Sequence, residues 1–425
     1  MREMKNSGIE WIGEIPTDWE MIPIKYLASY NDETLAENTA PDFEFDYIEI
    51  GSVEYGKGIT AKEHMKFSQA PSRARRIVRA NDIIVSTVRT YLRAVAPITS
   101  YEDEQIVSTG FVVIRPKNIV SSFLRYAILS ENFICTVEAN STGISYPAIN
   151  ASQVVQIKIP VPSTNEQQRI ADCLDRKCAE IDAVIERTKA TIEEYKKLKQ
   201  SIITEAVTKG IRGDRSMKES GIDWIGEIPA EWDVVRIKTL FDYRNERNDK
   251  PLEEVNLISL YTDLGVVQHC DLEATTGNKA SNADGYKLVY EDDMVVNIIL
   301  CWMGAIGRSA YTGVTSPAYD VYSPKEGTNT KFYHHLFRTQ GFSGDCYKVG
   351  RGIMAMRWRT YSDQFRAIKV VAPPQEEQQE IVDYLDKKCA EMDTLIARKT
   401  ALLAEMESYK KSVIYEYVTG KKEVK

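Results

Sequence analysis

The amino-acid sequence predicts an α+β protein made twice over: two globular mixed α/β domains joined by two long antiparallel helices that form an intramolecular coiled coil. Three observations lead there. The segment MKNSGIEWIGEIPTDWE at 4–20 returns as MKESGIDWIGEIPAEWD at 217–233. The segment from Glu166-Gln167-Gln168 to Thr208 returns without a gap as Glu377-Gln378-Gln379 to Thr419, 211 positions later. Each copy of that second segment carries an apolar seam at alternating spacings of three and four. Solenoid repeats recur every ~20 to 50 residues, so so long a period means duplication of a whole domain with its connector.

The repeat sets the boundaries. A first globular domain spans 1–160 with its repeated opening at 4–20, and a first long helix spans 161–212. The second domain spans 213–372 with its opening at 217–233, and the second helix spans 373–425. At 425 residues the chain exceeds the usual reach of one core, and 43% hydrophobic with 27% charged residues is ordinary globular content.

Each opening segment reads as a structural clasp. Gly13 and Pro16, like Gly226 and Pro229, forbid a continuing helix, while Ile12, Ile15 and Trp19 offer apolar anchors. Strand-like runs follow at 43–50, 82–88, 110–114 and 154–161, and in the second half at 256–260, 293–300, 319–322 and 367–371. They are rich in β-branched residues or alternate, and short helical candidates at 121–132 and 331–339 lie between them. Then comes the long helix, with Thr164 as a cap and Glu166, Gln167 and Gln168 in its first turn.

The first seam runs through Ile170, Leu174, Cys178, Ile181, Ile185, Thr188, Ile192, Tyr195 and Ile202. The second runs through Ile381, Leu385, Cys389, Met392, Ile396, Leu403, Met406, Tyr409, Val413 and Tyr417. At ~1.5 Å per residue such a helix is a rod of ~65 Å. The seam outlasts the surface of any small domain, so the two stripes are expected to bury each other.

Catalytic constellations are missing from the sequence. Four histidines, His64, His269, His334 and His335, stand in no metal-ligand or triad-like setting, and G-x-S-x-G does not occur. Residues 51–58, GSVEYGKG, place Gly58 where a phosphate-binding loop needs Ser or Thr for magnesium. Seven cysteines never form C-x-x-C, which argues against metal or disulfide chemistry. The expectation is a binder with no catalytic and no metal-ligating residues. The first thirty residues carry charge throughout, and the longest apolar run, 295–307, is interrupted by Asn297 and too short to span a bilayer. No membrane association and a cytoplasmic location are expected.

What the chain binds is suggested by where its charge lies. Net charge is −8 and pI is near 5.4, against indiscriminate polyanion binding. Two windows break the trend. Residues 66–93 carry Lys66, Arg73, Arg75, Arg76, Arg79, Arg89 and Arg93 against Asp82 alone. Residues 348–369 carry Lys348, Arg351, Arg357, Arg359, Arg366 and Lys369 against Asp363 alone, beside Tyr347 and interleaved with Trp358 and Tyr361. Arginine forks match phosphates and the O6/N7 edge of guanine, so Arg-rich loops are the expected form of a DNA reader, and a solvated basic face is the alternative. The DNA-binding candidates are therefore Arg73, Arg75, Arg76, Arg79, Arg89, Arg93, Lys348, Arg351, Arg357 and Arg359. The two windows do not occupy equivalent positions in the repeat.

Taken together these features resemble the specificity subunit of type I restriction-modification systems. The resemblance rests on the I-G-x-I-P-x-x-W openings at 12–19 and 225–232, the exits at 160–170 and 372–381 that lead into E-Q-Q-x-I, and the helix end Glu205-Ala206-Val207-Thr208. Departures are Val371-Ala372 in the second exit, and Tyr415 and Tyr417 where the first helix has Thr204 and Ala206. The resemblance implies two target recognition domains that read a split, asymmetric sequence in double-stranded DNA, and a helical spacer between them. It implies two methyltransferase (modification) subunits as partners, and motor-nuclease (restriction) subunits beside them. It places S-adenosylmethionine, ATP and magnesium on those partners and no cofactor in this chain. The rival expectation is a duplicated coiled-coil scaffold that binds protein partners without reading DNA.

Overall fold

The computed structural model describes residues 2–10, 12–269, 283–352 and 358–424. The chain divides into two compact units, Met1–Lys189 with Ala401–Lys425, and Ala190–Thr400. Its helices, in chain order, are α1 Ser121–Leu129, α2 Glu131–Ala139, α3 Ala151–Val154, α4 Thr164–Lys209, α5 Thr330–Phe337, α6 Gln340–Val349, α7 Ser362–Ala367 and α8 Gln375–Val418. Among the described residues no helix is long and apolar enough to cross a membrane.

The first unit is built around a four-stranded antiparallel sheet in the order Val95–Pro97, Ile83–Ser86, Phe111–Pro116, Ala28–Tyr30. The strand Ile83–Ser86 is buried along its whole length because both faces are covered. Side chains alternate across it, so Ile83 and Val85 meet α1 and α2 through Leu124, Ile128, Phe133 and Ile134. Ile84 points the other way, to Ile48, Val78 and Val107 of a second sheet. That sheet has the order Glu63–Lys66, Glu44–Ile48, Ile106–Ser108, Ala74–Ile77 and contains one parallel pair.

The second unit repeats the central plan with the order Phe241–Arg244, Tyr319–Pro324, Met294–Asn297, Ile306–Arg308. Met294 and Val296 join the core with Phe332, Leu336, Phe337 and Phe342 of α5 and α6, and Val295 joins a smaller core with Ile258 and Val289.

Three sequence readings need correction. The run 154–161 is not one strand: α3 ends at Val154 and the strand is Lys158–Val161. Likewise α7 reaches Ala367 before the strand Lys369–Ala372. The reason is local, since the Gln153 side chain reaches back to the Asn150 N–H (3.0 Å) and Gln364 to the Tyr361 N–H (3.2 Å), which starts a helical turn in each copy. The helical stretch after 121 is two helices, broken at Ser130, whose φ and ψ of −66° and 143° are extended.

The exit strands close each module on its clasp, Lys158–Val161 against Glu20–Pro23 and Lys369–Ala372 against Asp233–Arg236. Helices α4 and α8 run for 46 and 44 residues. The cap of α4 is Ser163, one residue before the expected Thr164; its Oγ accepts from the Glu166 N–H (3.4 Å).

The two helices pack antiparallel. In the first unit Lys410 pairs with Asp182 (2.6 Å) and Arg169 donates to the Val424 carbonyl (2.6 Å). Beneath these contacts Leu174, Cys178, Ile181 and Ile185 are buried with Val413 and Tyr417. In the second unit Lys199 pairs with Asp393 and Arg212 with Glu380, each at 2.7 Å. Tyr409, an expected seam residue, is instead 50% exposed.

Candidate nucleic-acid interface

In the first unit, the connection 87–94 leaves the central strand and returns as its neighbour. It holds a 3-10 turn, Thr90–Leu92, flanked by two arginines in the left-handed region, Arg89 (φ 52°) and Arg93 (φ 50°). A second loop, 140–149, lies alongside. Val88 and Thr142 both bridge to Ala148, and the Ile149 N–H donates to the Thr87 carbonyl (2.9 Å). The Arg89 guanidinium lies over the Tyr146 ring at 5.2 Å. Around it Val88, Tyr91, Leu92, Ile144 and Tyr146 are exposed, with Ile144 carrying no cover at all. A contiguous apolar surface of this kind, edged with cations, marks an interaction site.

The predicted residues of this unit separate into two sets. Arg73 belongs with the loops: its carbonyl accepts from the Thr109 N–H (2.8 Å), and the adjoining Gly110 accepts from the Thr87 N–H (2.8 Å). A Cβ on Gly110 would stand 2.7 Å from the Ile50 side chain and 3.0 Å from that of Val88, so any larger residue would push these side chains aside. The Arg73 guanidinium stays exposed and shares Glu49 at 3.1 Å. Arg75 stacks on Phe67 at 4.7 Å. Arg76 is half-buried, its Nε has no hydrogen-bond partner, and burial lowers its pKa.

Arg79 and Arg93 are held by carboxylates instead. Arg79 pairs with Glu33 (2.6 Å) and Glu104, and with Arg115 it pushes the Glu33 pKa down to about 2. Arg93 is bidentate to Glu138 (2.9 and 2.7 Å) and also pairs with Glu131. Counting acids within 66–93 hides this neutralisation, because the partners come from positions 33, 104, 131 and 138. Asp82, the window's own acid, is buried against Arg115 (2.8 Å).

The second unit repeats the turn and, among the described residues, the backbone bond that ties it to its neighbouring segment. The connection 298–305 carries the 3-10 turn Cys301–Met303 and then Gly304 (φ 88°), in the place that Arg93 fills in the first copy. The Thr360 N–H donates to the Ile298 carbonyl (2.9 Å), the counterpart of the Ile149–Thr87 bond. Here the charge comes from the other loop. Arg351 and Arg359 bridge each other through their backbones and are exposed, and among the described residues neither has a carboxylate within ion-pair distance. Lys348 lies 3.5 Å from Asp223 and 3.6 Å from Asp345. Trp358 stacks on Tyr347 (4.9 Å, 21°), with Trp302 beside it at 5.7 Å. Arg357 lies outside the described residues.

Arg73 and Arg89 from one basic window, and Arg351 and Arg359 from the other, thus stand on or beside the equivalent turns, each within its own unit. Tyr91, Tyr146, Ile144 and Trp302 belong to the same surfaces and were missed by counting charge. An alignment of the two copies around the turn 90–92 and its counterpart 301–303 is the signal that points to them.

Elsewhere the chemistry is quiet. The His334 Nδ1 accepts from the Arg308 N–H (3.1 Å), and burial lowers the pKa of His334 to about 3 and of His335 to about 4. His64 is exposed beside Asp46 (2.9 Å). Among the described residues no group of three or more His, Cys, Asp or Glu is placed to hold a metal ion. A cavity of about 490 Å³ in the first unit, walled by Ile12, Asn132, Phe133 and Gln156, includes none of the predicted residues in its lining.

Comparison with known proteins matches this architecture. The family model for the type I restriction modification DNA specificity domain matches residues 16–194 and 229–404. The putative type I restriction enzyme MjaX specificity subunit of Methanocaldococcus jannaschii is 25% identical over 97% of this chain and 96% of its own length. The MjaVIII specificity subunit of the same organism is 26% identical over 54% of this chain, and the match spans about half of that relative's length, 51%. The Escherichia coli EcoDI specificity subunit is 23% identical over 72% of this chain and 71% of its own.

Among solved structures, a chain described under complex assembly and conformational transition of the type I R-M system aligns with a TM-score of 0.73 at 19% identity, covering 96% of this chain and 99% of that one. The HsdS subunit of Thermoanaerobacter tengcongensis aligns at 0.52 and 20% identity, covering 96% and 98%. With the specificity-domain model matched once in each half, over the modules and long helices just described, the chain belongs to the family of type I restriction-modification specificity subunits.

Proposed function

We propose that the chain reads a bipartite, asymmetric DNA sequence, one half with each unit, and that it scaffolds two methyltransferase subunits together with motor-nuclease subunits. The observation that carries this reading is the duplicated loop pair. The two copies share a backbone arrangement and differ in what they display: Arg73, Arg89, Tyr91 and Tyr146 in one, and Arg351, Arg359, Trp302 and Trp358 in the other. Equivalent positions with unlike chemistry are what two different half-sites require, because phosphate contacts position a reader and side chains at base edges specify the sequence. The chain is assigned no catalytic step. S-adenosylmethionine, ATP and magnesium belong to the partner subunits, and the complex works on double-stranded DNA in the cytoplasm.

The test is selection of bound duplexes from a randomised library by the chain with its methyltransferase partners. Two conserved sequence blocks separated by a fixed gap are expected. Recovery of unselected sequence would favour the protein-binding scaffold.

A further inference from the structure

Resting on that DNA-reading function, we propose that Arg89 is a specificity-determining residue of the first unit, which reads a guanine, and that Arg93 is its positioning residue. Both arginines occupy the left-handed region, φ 52° and 50°, where a side chain is disfavoured. A non-glycine residue persists in such a conformation when its surroundings over-determine it, and these outliers gather at functional sites. The second unit shows how the same turn is made without the cost: Gly304 takes the place of Arg93, and Leu300, with an ordinary φ of −114°, takes the place of Arg89. The first unit has kept arginine at both.

Their side chains go in opposite directions. Arg93 turns inward and is clamped by Glu138 and Glu131 of α2. Glu131 is itself tied to Lys411 of α8 (3.2 Å) and to the Tyr55 hydroxyl (3.2 Å). The turn between the arginines is therefore fixed to the helical frame at one end. Arg89 turns outward. Its guanidinium carbon lies over the Tyr146 ring at 5.2 Å, and among the described residues it has no carboxylate within ion-pair distance. A guanidinium held over a ring and without a carboxylate partner keeps its donors for a ligand, and two parallel donors on one edge match N7 and O6 of guanine. The Arg93 guanidinium, spent on two carboxylates, has no such edge to offer.

The experiment is competition binding by the full chain with its methyltransferase partners, using duplexes that carry one substituted base pair at each position of the selected site. The wild type should show one G·C pair in a single half-site whose replacement weakens binding between about five- and a hundredfold. In Arg89→Ala, and equally in Arg89→Lys, which keeps the charge but loses the fork, that penalty should fall below about twofold while every other position keeps its own. Arg93→Gly should reduce the penalty at the same base pair while the penalties at the other positions of the site stay as in the wild type, and Arg93→Lys should restore part of it. An unchanged penalty in both Arg89 variants would overturn the assignment. So would a uniform loss of affinity in Arg89→Ala that Arg89→Lys restores, which is the signature of a phosphate contact. A wild type with no sequence preference would overturn the DNA-reading function, and the assignment with it.

Discussion

The Trp19 indole N–H donates to the Glu166 carboxylate at 3.0 Å, and 2.9 Å separates the corresponding atoms of Trp232 and Glu377. Each tryptophan is fully buried, and each carboxylate also holds an arginine, Arg2 in one copy and Arg215 in the other. The repeated opening is thus a clasp that locks each module to the first turn of a long helix. Glu377→Gln should destabilise the second unit by about 1–3 kcal/mol, since it removes one partner of a buried, charge-assisted set. Glu166→Gln should cost less, because its side chain is 20% exposed. Urea unfolding followed by tryptophan fluorescence measures both.

The salt dependence of DNA binding separates the exposed arginines from the neutralised ones. Arg73→Ala should lower the slope of log affinity against log salt by ~0.9 if one phosphate contact is lost. Arg79→Ala should leave the slope unchanged and lower the unfolding midpoint, because its guanidinium serves Glu33 and Glu104.

The two units should respond to acid over different ranges. Glu33 has a folded pKa lowered from 4.5 to about 2, so its contribution is present above pH ~4.5 and fades as the pH falls towards 2. His334 and His335 have folded values lowered from 6.5 to about 3 and about 4. The unfolded chain binds those protons first, so the second unit loses stability as the pH falls below ~6.5 and stops losing it below the folded values. The slope per histidine should stay under ~1.4 kcal/mol per pH unit, because each ring takes up at most one proton on unfolding. Hydrogen exchange resolved by segment at pH 5 should show protection falling in 283–352 before it falls in 83–116.

The long helices are expected to set the gap between half-sites. Adding one heptad after Arg187 and one after Arg398 keeps the seam in register and lengthens each helix by ~10 Å. That equals about three base pairs at ~3.4 Å each, and three base pairs also turn the duplex by about a third of a revolution. The selected gap should grow by one to three base pairs, with weaker binding. An active variant that selects the parental gap would leave the helices as a docking platform only.

Much of the scaffold was legible in the sequence because its signals are local. The run Ile83-Ile84-Val85 reads as a strand, and the spacing of Leu174, Cys178, Ile181 and Ile185 reads as a buried seam. Helices α3 and α7 were overlooked although Asn150 with Gln153 spells a capping box, since the β-branched run behind them dominated. The interface was half legible. Arg73, Arg89, Arg351 and Arg359 are exposed on or beside the two turns, whereas the carboxylates around Arg79 and Arg93 arrive from 33 to 138 and cannot be counted in a window. The pairing of loop 87–94 with loop 140–149 depends on strand order, which periodicity does not encode.

The most direct test of the central claim is methylation mapping after exchange of one reader. Residues 238–369 are replaced by the corresponding segment of another specificity subunit, which leaves both clasps and both helices in place, and the hybrid is expressed with its methyltransferase partners. One half of the methylated sequence is expected to change, while the other half stays as in the parent. A folded, active hybrid that changes both halves, or neither, would contradict the claim that each unit reads its own half of the site.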